Sequence, residues 1–249
     1  MIKQFRQLRV LTLAMRRVVV PAIVAVILAL SASGCNSGCD EMKLSARGNR
    51  TFNSELSLKV CVVRDIDGLP EEIVIGRTPS AEPVVIPKCT SWFVRPDNLL
   101  GMPALAREIA TKRIPGLILH KADDRDMESL KGLTELRELR LDGEEITDAG
   151  LLYLKGLTGL RVLHLYGRRF TDAGLMHIRG MTKLRELDLS DTKITDAGLV
   201  HLKGLTELQE LNLFSTYGIT GAGLVHLKGL TKLRTLDLMQ GGITETGLA

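Results

Sequence analysis

An α/β solenoid, with a parallel concave sheet and short convex helices, is the fold class predicted for residues 114–249, preceded by a small β-rich module. Three observations predict it. Segments beginning at Leu133, Leu157, Met181, Leu205 and Leu230 follow one another at spacings of 24, 24, 24 and 25 residues, a period typical of stacked coils. Each carries leucines in one L-x-x-L-x-L frame, such as Leu184, Leu187 and Leu189, the alternation of a strand buried on one face. Each then reaches a run like Thr171-Asp172-Ala173-Gly174-Leu175, in which threonine suits a helix N-cap and aspartate the positive end of the helix dipole.

Read from its start, the chain of 249 residues is 45% hydrophobic and 25% charged, a globular composition that argues against disorder and against a polytopic membrane protein. Its net charge of +4 is concentrated at one end: Lys3, Arg6, Arg9, Arg16 and Arg17 are unopposed by acids in the first 35 residues, leaving about −1 for the rest. Nucleic acid is therefore discounted as a partner. An apolar run over 18–30 and small residues up to Cys35 follow, the layout of an export signal. The run is shorter than the ~20 residues of a membrane helix. Residues 1–34 are thus read as a signal peptide, with an uncleaved anchor as the other reading.

The run Ala32-Ser33-Gly34-Cys35 resembles a bacterial lipoprotein box. The resemblance implies that Cys35 is lipidated and holds the protein at the membrane of the cell envelope. The box favours leucine where Ala32 stands, and Ser31-Ala32-Ser33 also suits an ordinary signal peptidase, which would release a soluble periplasmic or secreted protein. With Cys35 lipidated, Cys39, Cys61 and Cys89 remain, an odd number that permits one disulfide; Cys61 with Cys89, both in strand-like segments, is the expected pair. The C-x3-C spacing of Cys35 and Cys39, without a nearby histidine, is poor for zinc. No metal and no other cofactor is expected.

Residues 35–54 are polar and read as a tether. Over 55–95, β-favouring runs at 57–63, 72–75, 83–86 and 90–94 are broken by Asp67-Gly68, Pro70 and Pro79, giving the small β-rich module. Its Trp92 and Phe93 are expected to pack on the first coil of the solenoid. Residues 96–113 form a helical cap, with Leu105 and Ile109 spaced for one buried face.

Residues 114–249 hold about six repeats, the first degenerate (Ile114, Leu117, Leu119) and the last incomplete. Lys155, Arg179, Lys203 and Lys228 close the helical segments and are followed by glycines, where left-handed caps belong. Gly150, Gly174, Gly198, Gly223 and Gly247 lie inside those segments and point to close packing on the neighbouring coil. The stretch LRELDLSDTKITDAGLVHLKGLTEL, residues 184–208, resembles the leucine-rich repeats of large bacterial surface and periplasmic proteins. More distantly it resembles the cysteine-containing repeats of F-box receptors. The resemblance implies a leucine-rich-repeat horseshoe that binds protein or peptide on its concave sheet. It departs from the family at the asparagine position, which holds Glu144, Arg168, Thr192, Thr216 and Gly241, so the asparagine ladder is absent and the turns at Glu144 and Arg168 are looser. The export signal sets a ubiquitin-ligase role aside.

Residues between the inward leucines line the concave face. Three columns result: Glu138, Val162, Glu186, Glu210, Thr235; then Arg140, His164, Asp188, Asn212, Asp237; then Asp142, Tyr166, Ser190, Phe214, Met239. Glu138, Arg140, His164, Tyr166, Glu186, Asp188, Glu210, Asn212 and Phe214 are the candidate binding residues. Aromatics among polar groups make a typical hot spot, and the acids favour a partner with basic groups. Plain solvated strand positions are the competing reading. His177, His201 and His226 recur by repeat copying and lack a metal site's supporting shell. The column Lys131, Lys155, Arg179, Lys203, Lys228 suits anionic lipid or polysaccharide, or simply compensates helix dipoles.

No H-E-x-x-H, phosphate-cradling glycine loop or G-x-S-x-G is present, so no catalytic constellation is expected. The reading is a non-catalytic protein- or peptide-binding module at the bacterial cell envelope. A structural spacer or assembly unit is the alternative, and an envelope enzyme with chemistry in 55–95 is the third. Leu233, Leu236, Leu238, Ile243 and Leu248 lie in a coil without a successor in this sequence, and weak self-association or docking of a partner through that end is expected, a longer natural chain or a frayed tail being the other readings.

Overall fold

Alternating apolar residues form the elements of the N-terminal unit. The computed structural model describes residues 50–66, 69–87, 92–142 and 144–244, and the chain divides into two compact units between Asn98 and Leu99. Cys35, Cys39 and Cys89 lie outside the described residues, and with them the lipidation site and one half of the expected disulfide. The first unit holds β1 (Arg50–Phe52), β2 (Leu58–Ile66), β3 (Leu69–Thr78), β4 (Val84–Ile86) and β5 (Trp92–Pro96). The strand β2 pairs antiparallel with β3 on one side and β5 on the other, and β1 pairs with β4. Two sequence expectations change here. Residues 50–52, assigned to the tether, are a strand of the module, with Phe52 buried 5.4 Å from the Trp92 ring. Pro70, expected as a breaker, sits inside β3; its missing donor is tolerated because, among the described residues, β3 pairs only along its β2 side. Cys61 is buried, and as a thiol its pKa is pushed up to about 12 by burial and then by the Glu72 carboxylate, which keeps the thiolate fraction low near neutrality.

The second unit begins with helix α1 (Met102–Lys112), which has proline in its first turn, buries Met102, Leu105 and Ile109, and ends at left-handed Arg113. Six strands follow: β6 (Gly116–His120), β7 (Glu138–Asp142), β8 (Val162–Tyr166), β9 (Glu186–Asp188), β10 (Glu210–Asn212) and β11 (Thr235–Asp237). All pair in parallel, in chain order. Leu117, Leu139, Leu163, Leu187, Leu211 and Leu236 are successive register partners, so each rank of leucines stacks on the last. Leu139, Leu163, Leu187 and Leu211 are no more than 1% exposed. No single coil could bury them; the stack does so by nearest-neighbour contact. At β11 the burial weakens, and Leu236 and Leu238 are only half-buried.

The Thr-Asp-Ala-Gly-Leu runs lock one coil to the next. Thr171 Oγ1 caps helix Asp172–Leu175 by accepting the Ala173 amide, as Thr147 caps Asp148–Leu151. The aspartate beside each threonine was expected to serve its own helix dipole; its carboxylate is turned toward the following coil. Asp148 accepts the Thr171 amide at 2.9 Å and its hydroxyl at 2.5 Å. The same bonds join Asp124 to Thr147, Asp172 to Thr195 and Asp196 to Thr220. Each carboxylate fills the space left by the next coil's glycine. A Cβ on Gly150 would stand 2.5 Å from Asp124 Oδ1, and those on Gly174 and Gly198 closer still to Asp148 and Asp172. The ladder stops at Gly221, which replaces the aspartate.

The glycines after the basic residues differ from expectation. Of those at that place only Gly132 has a positive φ, 85°, and a Cβ on Gly156, Gly180 or Gly229 would meet nothing within 4 Å. The turns stay right-handed and close by i→i+3 bonds, such as the Leu157 amide to the Leu154 carbonyl at 2.9 Å. The convex segments are correspondingly tight: 3-10 geometry takes over at Leu152–Leu154, Gly198–Leu202 and Ala222–Leu227.

Candidate binding face of the sheet

The residues between the leucine ranks occupy the columns that the spacing predicts. Glu138, Val162, Glu186, Glu210 and Thr235 are register partners in one line, and Arg140, His164, Asp188, Asn212 and Asp237 in the next. In the third line Tyr166 lies beside Asp142, whereas Ser190, Phe214 and Met239 fall two residues beyond their strands. The reason is local. Asp188, Asn212 and Asp237 each turn a side-chain oxygen onto the amide two residues on, at 2.9, 2.9 and 2.8 Å, an Asx turn that takes the chain out of the ladder. Ile118, Arg140 and His164, at the same place in β6 to β8, have no such short acceptor, and those strands run on for five residues. After each Asx turn a left-handed residue follows, Asp191, Ser215 or Gln240.

Several candidates are tied to one another. Arg140 Nη2 lies 2.7 Å from Glu138 Oε1, His164 Nε2 lies 2.7 Å from Glu186 Oε1, and Asn212 Nδ2 donates to Asp188 Oδ2 at 3.1 Å. Glu138, His164 and Asn212 are buried, so their work is to orient the groups beside them. Tyr166 and Phe214 are half-buried, the Tyr166 ring 6.4 Å from that of His164.

Electrostatics divide the two central glutamates. Burial raises the Glu186 pKa, but the His164 hydrogen bond and charge and the Arg140 charge outweigh it, leaving Glu186 below its usual value. Its register partner Glu210 is raised to about 7, first by burial and then by the Glu186 charge, against smaller opposing effects of His164 and Arg234. Burial also raises Asp237, aided by Asp188 and opposed by the Met239 amide. The face thus concentrates carboxylates, and Glu210 is the one that ionises around neutrality.

Tyr217 escaped the sequence reading. It is 69% exposed, three residues past Phe214, and it falls where the repeat of 25 residues inserts one more than its neighbours. That longer spacing was its signal. Gly218 beside it packs against the preceding coil, where a Cβ would meet the backbone of Ile194 and Thr195. In the asparagine position, Thr192 donates to the Leu189 carbonyl at 2.7 Å and Thr216 reaches the same carbonyl at 3.1 Å. Buried threonines therefore do the bridging there, while Glu144 and Arg168 are exposed.

A family model described as Leucine Rich repeat matches residues 180–202. No curated protein matches the chain. Among solved structures, an internalin from Listeria monocytogenes is similar at 24% identity and a TM-score of 0.48, over 59% of this chain and 44% of its own. This chain therefore spans less than half of that protein's length. The parallel register, the stacked leucine ranks and the matched repeat make the second unit a leucine-rich-repeat solenoid.

Proposed function

We propose that the sheet face is a non-catalytic docking surface for a basic segment of another protein or peptide, displayed at the bacterial cell envelope. The observation that carries this reading is the concentration of Glu186, Asp188, Glu210 and Asp237 in two adjoining columns, where Arg140 and His164 are already engaged by Glu138 and Glu186. Complementary charge steers a cationic partner and sets its register. Tyr166 and Phe214 supply apolar anchors at the strand ends. Export through residues 1–34 and a lipid on Cys35 belong to the same reading, and in a high-salt wash, which screens attraction of exposed cations to phospholipid, wild type stays in the membrane fraction while Cys35→Ala is released.

The direct test places a photocrosslinking side chain at Ser190, between Tyr166 and Phe214 in the third column, in the full chain. The expected result is a saturable crosslink to one polypeptide, weakened by salt and lowered at least ~30-fold in affinity by Tyr166→Ala with Phe214→Ala, as for hot spots worth about 2 kcal/mol or more. A structural spacer gives no saturable crosslink.

A further inference from the structure

The convex side of the repeat unit carries an array that sheet-face docking leaves unused. Leu152, Met176, Val200 and Val225 occupy one place in four successive coils and are 50%, 46%, 43% and 50% exposed. Three residues after each comes an exposed cation, Lys155, Arg179, Lys203 or Lys228, and three residues before each an exposed alanine. The local backbone aligns them. The amides of Lys155, Lys203 and Lys228 bond the carbonyls three residues back, and side chains three apart eclipse in such 3-10 turns. Each coil therefore presents aliphatic and cation in line along its axis, and stacking sets the lines side by side. The neighbouring aspartates Asp148, Asp172 and Asp196 are turned to the threonines of the next coil and not to these cations. Among the described residues none of the four cations makes an ion pair. The coil before holds Arg125, Glu128 and Lys131 at these places, so the apolar row starts at Leu152.

We infer that this array seats the repeat unit on an anionic phospholipid surface, the aliphatics entering the boundary of headgroups and acyl chains and the cations facing the phosphates. Exposed apolar groups beside lysine and arginine are the composition of an interfacial membrane face. The array repeats one chemistry four times, which fits a laterally uniform partner. A folded protein is gripped instead by a few large anchors in varied surroundings, and single-stranded nucleic acid needs aromatic platforms, which this row lacks. The sheet face, on the other side of the unit, stays open to its own partner.

A reporter on the array tests this in the full chain. Val200→Trp places an indole at an exposed site, and Ser190→Trp places one at the strand ends as a control. With vesicles of phosphatidylcholine plus phosphatidylglycerol, the indole at 200 shifts to shorter wavelength and is quenched by brominated acyl chains, while the one at 190 is not. Phosphatidylcholine alone gives little response. Lys155→Gln with Lys203→Gln lowers partitioning about 30-fold, at about 1 kcal/mol per cation. Circular dichroism checks that each variant is folded. Vesicle attachment without quenching at 200, as when residues 18–30 alone hold the chain, overturns the inference. So does equal quenching at 190, an unchanged partition on neutralising the cations, or a concentration-dependent shift without lipid, which would assign the array to a second copy.

Discussion

Alanine is a better helix former than glycine by about 1 kcal/mol, yet Gly174 is held by a neighbour 26 residues away, whose carboxylate occupies the place of its missing Cβ. Gly174→Ala is therefore predicted to destabilise the fold by about 1 to 3 kcal/mol, the usual cost of overpacking. Urea unfolding checks this, and combining the change with Asp148→Ala should cost less than the two changes added, because the clash with the carboxylate is gone and only that with the Leu151 side chain remains. Glu210 makes the second prediction at this scale. Its folded pKa of about 7 stands above the ordinary glutamate value of 4.5, so its contribution is fully present below pH 4.5 and lost as pH rises through 7. Glu210→Gln should raise stability at pH 8 by about 1 to 2 kcal/mol, after allowing for solvent screening of a half-exposed group, and flatten the pH dependence between those values. A cationic peptide, conversely, should bind wild type better as pH rises through 7. The columns holding Glu210 and Glu186 were legible because the leucine frame fixes which residues alternate with it. Their opposite pKa shifts were not, since those depend on His164 and Glu186 meeting across two strands.

Between coils, the coupling device is a carboxylate that accepts both the amide and the hydroxyl of the threonine capping the next convex segment. The sequence displays the motif three times, at Thr147-Asp148, Thr171-Asp172 and Thr195-Asp196, but not its meaning, because a single repeat contains the donor of one pair and the acceptor of another. Only stacking brings them together. The same limit explains the glycines after the basic residues, whose place in sequence suits a left-handed cap although the turn stays right-handed. Thr171→Val keeps the shape while removing the hydroxyl that bonds Asp148 and accepts the Ala173 amide. The expected loss is about 2 to 4 kcal/mol, combining a helix cap with a hydrogen bond to a charged group. A double-mutant cycle with Asp148→Ala should show strong coupling, whereas additive effects would mean that the ladder is incidental. At acid pH the rung at Asp196 weakens. Burial raises its pKa, but the Thr220 hydroxyl and the amides of Gly223, Thr220 and Gly221 outweigh burial and leave it below 3.8, so its contribution is present above 3.8 and lost as pH falls through the lower folded value.

A stack in which each coil touches only its neighbours should respond to damage according to where it falls. Leu187 is 1% exposed, and β9 pairs with β8 on one side and β10 on the other. Leu236 has the same place in the leucine frame, but it is half-buried and β11 pairs with β10 alone among the described residues. Leu187→Ala is predicted to cost about 2 to 5 kcal/mol through lost burial and the cavity left behind. Its effect should also travel, because the leucine rank loses support on both sides. Leu236→Ala removes a side chain that water already reaches, so both the transfer and the cavity contributions shrink, and the expected loss is about half as large or less. Hydrogen exchange separates the two outcomes better than a melting midpoint. In Leu187→Ala, protection should fall in β8 and β10 as well as β9, and the wedge of lost order should reach the threonine caps at Thr171, Thr195 and Thr220, since those threonines follow β8, β9 and β10 in the same coils. In Leu236→Ala the loss should be confined to β11 and the turn after it, with Gln209, whose carbonyl accepts the amides of Arg234 and Thr235, marking its boundary. Equal losses, or protection that falls uniformly along the unit in both variants, would show that the solenoid unfolds as one cooperative block and not coil by coil.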